Sequence, residues 1–191
     1  MRVLFDFKIT VENIVMIGSF KEEINLCLAN TKLEGSKGNR KRFPGLTYKL
    51  KNPKATFLLF KNGKFVCTGA KTKTKGQQAI VNFLELLKTL ELVSNGCGFE
   101  CCVKNIVASV NLGGASVALE QFTNEFESIY EPDRFPAAIY KTSKPKASFL
   151  VFLTGKLVCS GIADEEILKQ TVKEFYDKLL EKKVLEKTHT T

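Results

Sequence analysis

Residues 42–69, RFPGLTYKLKNPKATFLLFKNGKFVCTG, and residues 134–161, RFPAAIYKTSKPKASFLVFLTGKLVCSG, align without a gap and are identical at 16 of 28 positions. The same offset of 92 residues relates Asn13-Ile14-Val15 to Asn105-Ile106-Val107. A fixed period of this length makes the chain two copies of one supersecondary module, and the fold must accommodate that internal symmetry. The modules run over roughly 9–95 and 101–187, joined by SNGCG, which predicts two repeats with bounds 1–98 and 99–191.

Each module reads as strand, helix, strands, helix. FDFKITVENIVMIG (5–18) alternates and is β-branched, as a strand requires. EEINLCLAN (22–30) in the first copy and ASVALEQFTNEF (115–126) in the second are short and amphipathic, and predict helices. The shared block predicts a β-meander, with strands near 45–50, 55–60 and 65–70. Its turns fall at Lys51-Asn52-Pro53-Lys54 and Lys61-Asn62-Gly63-Lys64, the second carrying an Asn-Gly dipeptide that tolerates positive φ. Amphipathic helices, QQAIVNFLELLKTLEL (77–92) and DEEILKQTVKEFYDKLLEKK (164–183), close the copies. Two such halves side by side predict one continuous antiparallel sheet with helices on one face.

The second face of such a sheet is ordinarily polar. Here, strand alternation puts Phe57 and Leu59 on one side and Leu58 and Phe60 on the other, and it likewise divides Phe65 and Cys67 from Val66 and Thr68. Both faces are therefore apolar. Taking the first hairpin to be centred between residues 51 and 52 sets Phe43 opposite Phe60, and in the second copy Phe135 opposite Phe152, as cross-strand pairs on the face without helices. Taken alone, such pairs equally suit a core or a dimer interface. The bordering cations favour another partner: Lys49 and its copy Lys141 share the face of the phenylalanines, Lys64 and Lys156 flank the last strands, and Lys71 and Lys73 follow. An apolar floor edged by lysines suits a minor groove, whose phosphates line its rims.

The chain carries 29 Lys and Arg against 20 Asp and Glu, a net charge of +9, which favours a polyanion, nucleic acid or an anionic membrane surface. No run of eighteen uncharged apolar residues occurs, and Asp6, Lys8 and Glu12 interrupt the start where a secretory leader needs an apolar core, so an intracellular chain with reduced thiols is expected. Cys27, Cys67 and Cys159, each among apolar residues, are predicted to be small core side chains. Cys97, Cys101 and Cys102 fall short of a zinc pattern, and the single imidazole, His189, lies in the tail, so neither a metal nor another cofactor is expected. No Ser-His-Asp, Cys-His or paired-carboxylate arrangement is visible, and Asp164, Glu165 and Glu166 read as a helix N-terminus rather than a catalytic cluster.

Several marks then stand together: the two Asn-Ile-Val strand starts; Arg42-Phe43-Pro44 and Arg134-Phe135-Pro136; Pro53-Lys54 and Pro145-Lys146; Gly63 to Gly69 and Gly155 to Gly161; and Tyr130-Glu131-Pro132. In these, over essentially its whole length, the sequence resembles the TATA-box-binding protein family. The resemblance implies an α+β saddle, in which two pseudo-symmetric repeats form one curved ten-stranded antiparallel sheet with helices on the convex face. It implies a general transcription initiation factor, without catalysis, that binds double-stranded A·T-rich promoter DNA in the minor groove. In that reading Phe43 with Phe60, and Phe135 with Phe152, wedge into base steps at the two ends of the element. Asn13, Asn105, Thr68 and Ser160 hydrogen-bond central bases, while Val15, Val107, Val66, Val158, Leu58 and Leu150 pack on base edges and sugars. Lys49, Lys64, Lys71, Lys141 and Lys156 contact phosphates. Implied partners are a B-type general initiation factor at the second stirrup (Glu131, Asp133, Arg134), other general initiation factors and RNA polymerase, with no membrane. The implied location is the nucleus in a eukaryote, or the cytoplasm and nucleoid in an archaeon.

The sequence departs from the family pattern in the second copy. Ser160 replaces a threonine, Gly161-Ile162-Ala163 replaces Gly-Ala-Lys, and Arg134 stands where leucine is usual. An alternative within the same fold is a divergent paralogue that acts mainly through protein partners, with an altered or weak preference for such DNA.

Overall fold

In a computed structural model, residues 7–38 and 44–187 are described. The chain divides into two compact units, one of residues 13–104 and the other of residues 1–12 with 105–191. Two long strands, β1 (Lys8–Phe20) and β6 (Phe99–Asn111), each contribute to both.

In the first unit β1 is followed by α1 (Leu26–Lys32), a two-residue β2 (Lys37–Gly38), β3 (Gly45–Leu50), β4 (Ala55–Phe60), β5 (Lys64–Ala70) and α2 (Lys73–Thr89). Its strands lie antiparallel in the order β2-β3-β4-β5-β1. The second unit repeats the plan after β6: β7 (Ala115–Val117), α3 (Leu119–Glu125), β8 (Ser128–Ile129), β9 (Ala137–Ser143), β10 (Lys146–Phe152), β11 (Lys156–Ile162) and α4 (Glu165–Glu181). Its sheet order is β6-β11-β10-β9-β8, and β12 (Leu185–Lys187) pairs separately with β7.

The predicted meander strands form at the expected positions, and alternation sorts their side chains as expected. Ala55, Phe57 and Leu59 of β4 are buried, whereas Thr56, Leu58 and Phe60 are only half-buried. Burial of the first set is the work of α2, which turns Ala79, Ile80, Phe83, Leu84 and Leu87 to the sheet. Phe83 is the centre of that packing, stacked on Phe57 at 4.2 Å and on Tyr48 at 5.3 Å. In the second unit Phe175 of α4 takes the same place, 4.3 Å from Phe149 and 5.0 Å from Tyr140. The acidic start of α4 is a helix cap, as read from sequence: the Asp164 carboxylate accepts the Glu166 and Ile167 N–H groups at 2.9 and 3.0 Å. The connection between the repeats is pinned by Glu22, whose carboxylate accepts from the Ser94 hydroxyl and, at 2.9 Å, from the Ser94 N–H. These bonds hold its carboxyl below the ordinary carboxylate range.

Four expectations need correction. The first hairpin pairs Gly45 with Phe60 and Leu50 with Ala55, and the second pairs Ala137 with Phe152, so each register differs by two residues from the one that set Phe43 opposite Phe60 and Phe135 opposite Phe152. The loop is the full four residues 51–54, which moves its centre to the bond between Asn52 and Pro53. Residues 115–117 are strand, not the start of a helix, because a partner strand distant in sequence, β12, is available to them. The first short helix begins at Leu26, capped by the Asn25 side chain, rather than at residue 22. Cys27, on that helix, is exposed rather than a core side chain; Cys67 and Cys159 are buried, and burial pushes both thiols up to about 12.

Phe83 carries the packing of α2 on its sheet, so Phe83→Ala is expected to lower stability by about 3–5 kcal/mol. A fall in the urea midpoint at unchanged slope checks this.

Candidate nucleic-acid interface

On the face of each sheet that the helices leave open, cross-strand partners form rows. In the first unit one row runs Thr47, Leu58, Val66, Ile17, and a second runs Lys49, Thr56, Thr68. In the second unit the matching rows are Ile139, Leu150, Val158, Ser109 and Lys141, Ser148, Ser160. Leu58, Val66, Leu150 and Val158 are all half-buried, so the open face is an apolar floor in both units. Val15 and Val107 share that intermediate burial, each following its asparagine by two residues and so lying on the same side.

A bulge interrupts the last strand of each meander. Between the pairs Ile14–Ala70 and Met16–Cys67, β5 spends one residue more than β1, and β11 does the same against β6 between Ile106–Ile162 and Ala108–Cys159. Gly69 and Gly161 sit there with φ of +102° and +101°, a backbone conformation that any Cβ would strain. Each bulge turns its glycine N–H toward an asparagine side chain. Gly69 N donates to Asn13 Oδ1 and Gly161 N to Asn105 Oδ1, both at 2.7 Å. A backbone N–H can only donate, so both amide groups have their oxygen held by the bulge and their NH2 left as the group for other acceptors. In the first unit Asn13 Nδ2 also donates to Thr68 Oγ1 at 3.0 Å. The Asn105–Gly161 bond has no such companion from Ser160 among the described residues.

At the end of the second meander the Phe135 and Phe152 rings meet edge to face, 6.1 Å between centroids, with Phe135 42% exposed. They meet although Phe152 stands opposite Ala137, because diagonal neighbours two residues apart lie within reach of aromatic side chains. Phe60 is half-buried on the open face of the first unit, while its expected partner Phe43, with Arg42, lies outside the described residues. Lys49, Lys64, Lys71, Lys141 and Lys156 are all exposed. Glu131, Asp133 and Arg134 are exposed as well, and Arg134 Nη1 lies 2.9 Å from Glu131 Oε2, pairing the unusual cation within its own loop.

The register adds residues that alternation within single strands did not flag: Ile17, Thr47, Thr56, Ser109, Ile139 and Ser148 lie in the rows of the floor. The bulges were missed too, although a glycine after each Cys-Thr or Cys-Ser pair was their signal. Among the described residues no group of three or more His, Cys, Asp or Glu side chains is placed to hold a metal ion, and no helix is long and apolar enough to cross a membrane.

Because the φ at Gly161 excludes a side chain, Gly161→Ala is expected to cost about 1–3 kcal/mol of stability. A control substitution at exposed Gly98, where an added Cβ meets nothing within 4 Å, is expected to be nearly neutral in the same denaturation measurement.

Residues 8–90 and 100–182 match the family "Transcription factor TFIID (or TATA-binding protein, TBP)". The TATA-box-binding protein of Methanobrevibacter smithii is 41% identical over 177 residues, covering 92% of this chain and 97% of the relative. That of Methanothermobacter thermautotrophicus is 38% identical, with the same coverage. The solved structure of Methanococcus jannaschii TBP superposes with a TM-score of 0.83 at 32% identity, covering 91% of this chain and 99% of that one, and bears out the fold class read from the sequence. On both the repeated family match and the identity of these relatives, the chain belongs to the TATA-box-binding protein family of transcription factors, not to a family of enzymes.

Proposed function

We propose that this chain is a general transcription initiation factor that binds A·T-rich promoter DNA in the minor groove through the open faces of its two units. The observation that carries this reading is the orientation of the two asparagines. The floor of an A·T minor groove offers only acceptors, adenine N3 and thymine O2. Asn13 and Asn105, with their oxygens held by Gly69 and Gly161, present donors to it. Around them Val15, Val66, Leu58, Val107, Val158 and Leu150 supply apolar contact, and Thr68 and Ser160 supply hydroxyls.

Minor-groove binders, this family among them, insert apolar wedges between base steps at an unstacking cost of a few kcal/mol per step. Phe135 with Phe152 forms one wedge, and Phe60 with Phe43 the other. Newly buried apolar surface and the counterions released by Lys49, Lys64, Lys71, Lys141 and Lys156 offset that cost. Five such contacts imply a salt dependence with a log–log slope of about −4 to −5. The archaeal hosts of the relatives favour the cytoplasm and nucleoid over the nucleus as the setting.

In a gel-shift and bending assay at fixed salt, Phe60→Ala and Phe152→Ala are each expected to weaken binding about tenfold or more and to reduce the bend. Asn105→Asp, which exchanges the donor for an acceptor, is expected to weaken binding to A·T sites comparably. Unchanged binding and bending in all three would overturn the reading.

The exposed loop of Glu131, Asp133 and Arg134 is the proposed docking point for a B-type initiation factor, and further initiation factors and the polymerase assemble on that complex. Among the described residues Arg134 pairs with Glu131 rather than with Asp133, so the loop still offers an acid and a basic patch on the factor is the matching surface. Arg134→Leu is expected to change affinity for the factor on preformed DNA complexes without changing affinity for DNA. An unaltered factor affinity would remove this loop from the interface.

A further inference from the structure

The positive charge of the chain belongs to one unit. Residues 13–104 hold 16 Lys and Arg against 6 Asp and Glu, a net charge of +10, whereas residues 1–12 with 105–191 hold 13 against 14, a net charge of −1. Within the first unit, residues 35–84 carry 12 of the cations and no acid. The copies differ at matched surface positions too. Three exposed aliphatic side chains of the second unit, Ile129, Leu153 and Ile167, stand at the 92-residue counterparts of Lys37, Lys61 and Lys75.

Of these three lysines, Lys37 is the one that strand pairing places on the open face. It stands opposite Thr47 in the β2–β3 pair, and Thr47 stands opposite Leu58 in the row of the floor. Opposed residues of neighbouring strands share a face, so the row continues outward to end in Lys37. In the second unit the matching row ends in Ile129, opposite Ile139 and 59% exposed. Lys61 lies in a turn, 4.0 Å from Glu23, and Lys75 lies in the first turn of α2, on the other side of the sheet. Among the described residues of the first unit, ion pairs form at Lys21, Lys61 and Lys88 and none forms at Lys37. Strand β2 is the outer strand of its unit, both of its residues are exposed, and β4, which carries Phe60, lies inside it. A duplex that takes Phe60 into a base step and continues outward therefore passes β3 and then Lys37. A lysine holds a phosphate there as a mobile point charge and releases a counterion, which an isoleucine cannot do.

We propose that Lys37 binds a phosphate of the duplex flanking the A·T element, outside the step entered by Phe60. The proposal rests on the minor-groove reading. It gives the first unit a hold on flanking DNA for which the second unit, with Ile129 at the matching place, has no cation, although the floors of the two units are built alike.

The test measures affinity against salt concentration for the full chain, as wild type, Lys37→Ile and Lys37→Arg, after unfolding midpoints show that each variant folds. Two A·T-rich duplexes are used, one with flanks of about one helical turn, ~10 base pairs, at both ends, and one that stops at the last A·T pair at each end. On the flanked duplex Lys37→Ile is expected to make the log–log slope shallower by about 0.9, so that it loses about 3.5-fold less affinity than the wild type between about 50 and 200 mM salt. Lys37→Arg, which keeps the charge, is expected to keep the slope. On the unflanked duplex all three proteins are expected to behave alike. A Lys37→Ile variant with the wild-type slope on the flanked duplex would overturn the proposal. So would an equal change on both duplexes, since that is general attraction or a contact inside the element. Phe60→Ala serves as the separate check on the reading beneath: if it binds and bends the flanked duplex as the wild type does, the minor-groove reading itself fails. If it weakens binding while Lys37→Ile leaves the slope unchanged, only the flank contact fails.

Discussion

A β-strand has two faces and each unit of this protein has one long helix to cover them, and that mismatch organises everything else. Phe83 and Phe175 are the points where the mismatch is settled. By stacking on Phe57 and Phe149 they commit one face of each sheet to the core. The other face keeps Leu58, Val66, Leu150 and Val158 half-buried, with no helix over them in either unit. Both copies thus keep an apolar floor bordered by exposed lysines.

The bulges at Gly69 and Gly161 give that floor its polarity. Each supplies a backbone N–H that fixes an asparagine oxygen at 2.7 Å, which decides which half of an otherwise ambiguous amide meets a partner. The glycine is essential because φ near +100° leaves no room for a side chain, and the asparagine is useful because its remaining group is a donor. The same bulge and the same asparagine contact recur at the 92-residue offset.

Symmetry of scaffold does not carry through to chemistry. The first unit ties Asn13 to Thr68 as well as to its bulge, whereas Ser160 makes no such bond to Asn105 among the described residues. Ile162 is buried at its bulge, and the exposed Arg134 is paired to Glu131. Glu12 meets Ser109 in the second unit, while the counterpart pair is Lys104 and Ile17. Divergence between the copies thus reaches both exposed side chains, such as Arg134, and the core, where Ile162 stands in place of Ala70.

The sequence by itself determined the duplication, the meander, the closing helices and the existence of two apolar faces. These follow from local periodicity and from identity between copies, which need no knowledge of distant neighbours. The alternation that puts Leu58, Phe60 and Val66, with their copies, on the face away from the helix was legible for the same reason. Register was not. It depends on where a four-residue turn is centred, and a turn misplaced by one residue moves the partner of Phe60 from Gly45 to Phe43. Strand β7 was likewise decided only in three dimensions, by its pairing with β12. Alternation reports which way a side chain points along one strand, whereas hydrogen bonds between strands decide what it meets.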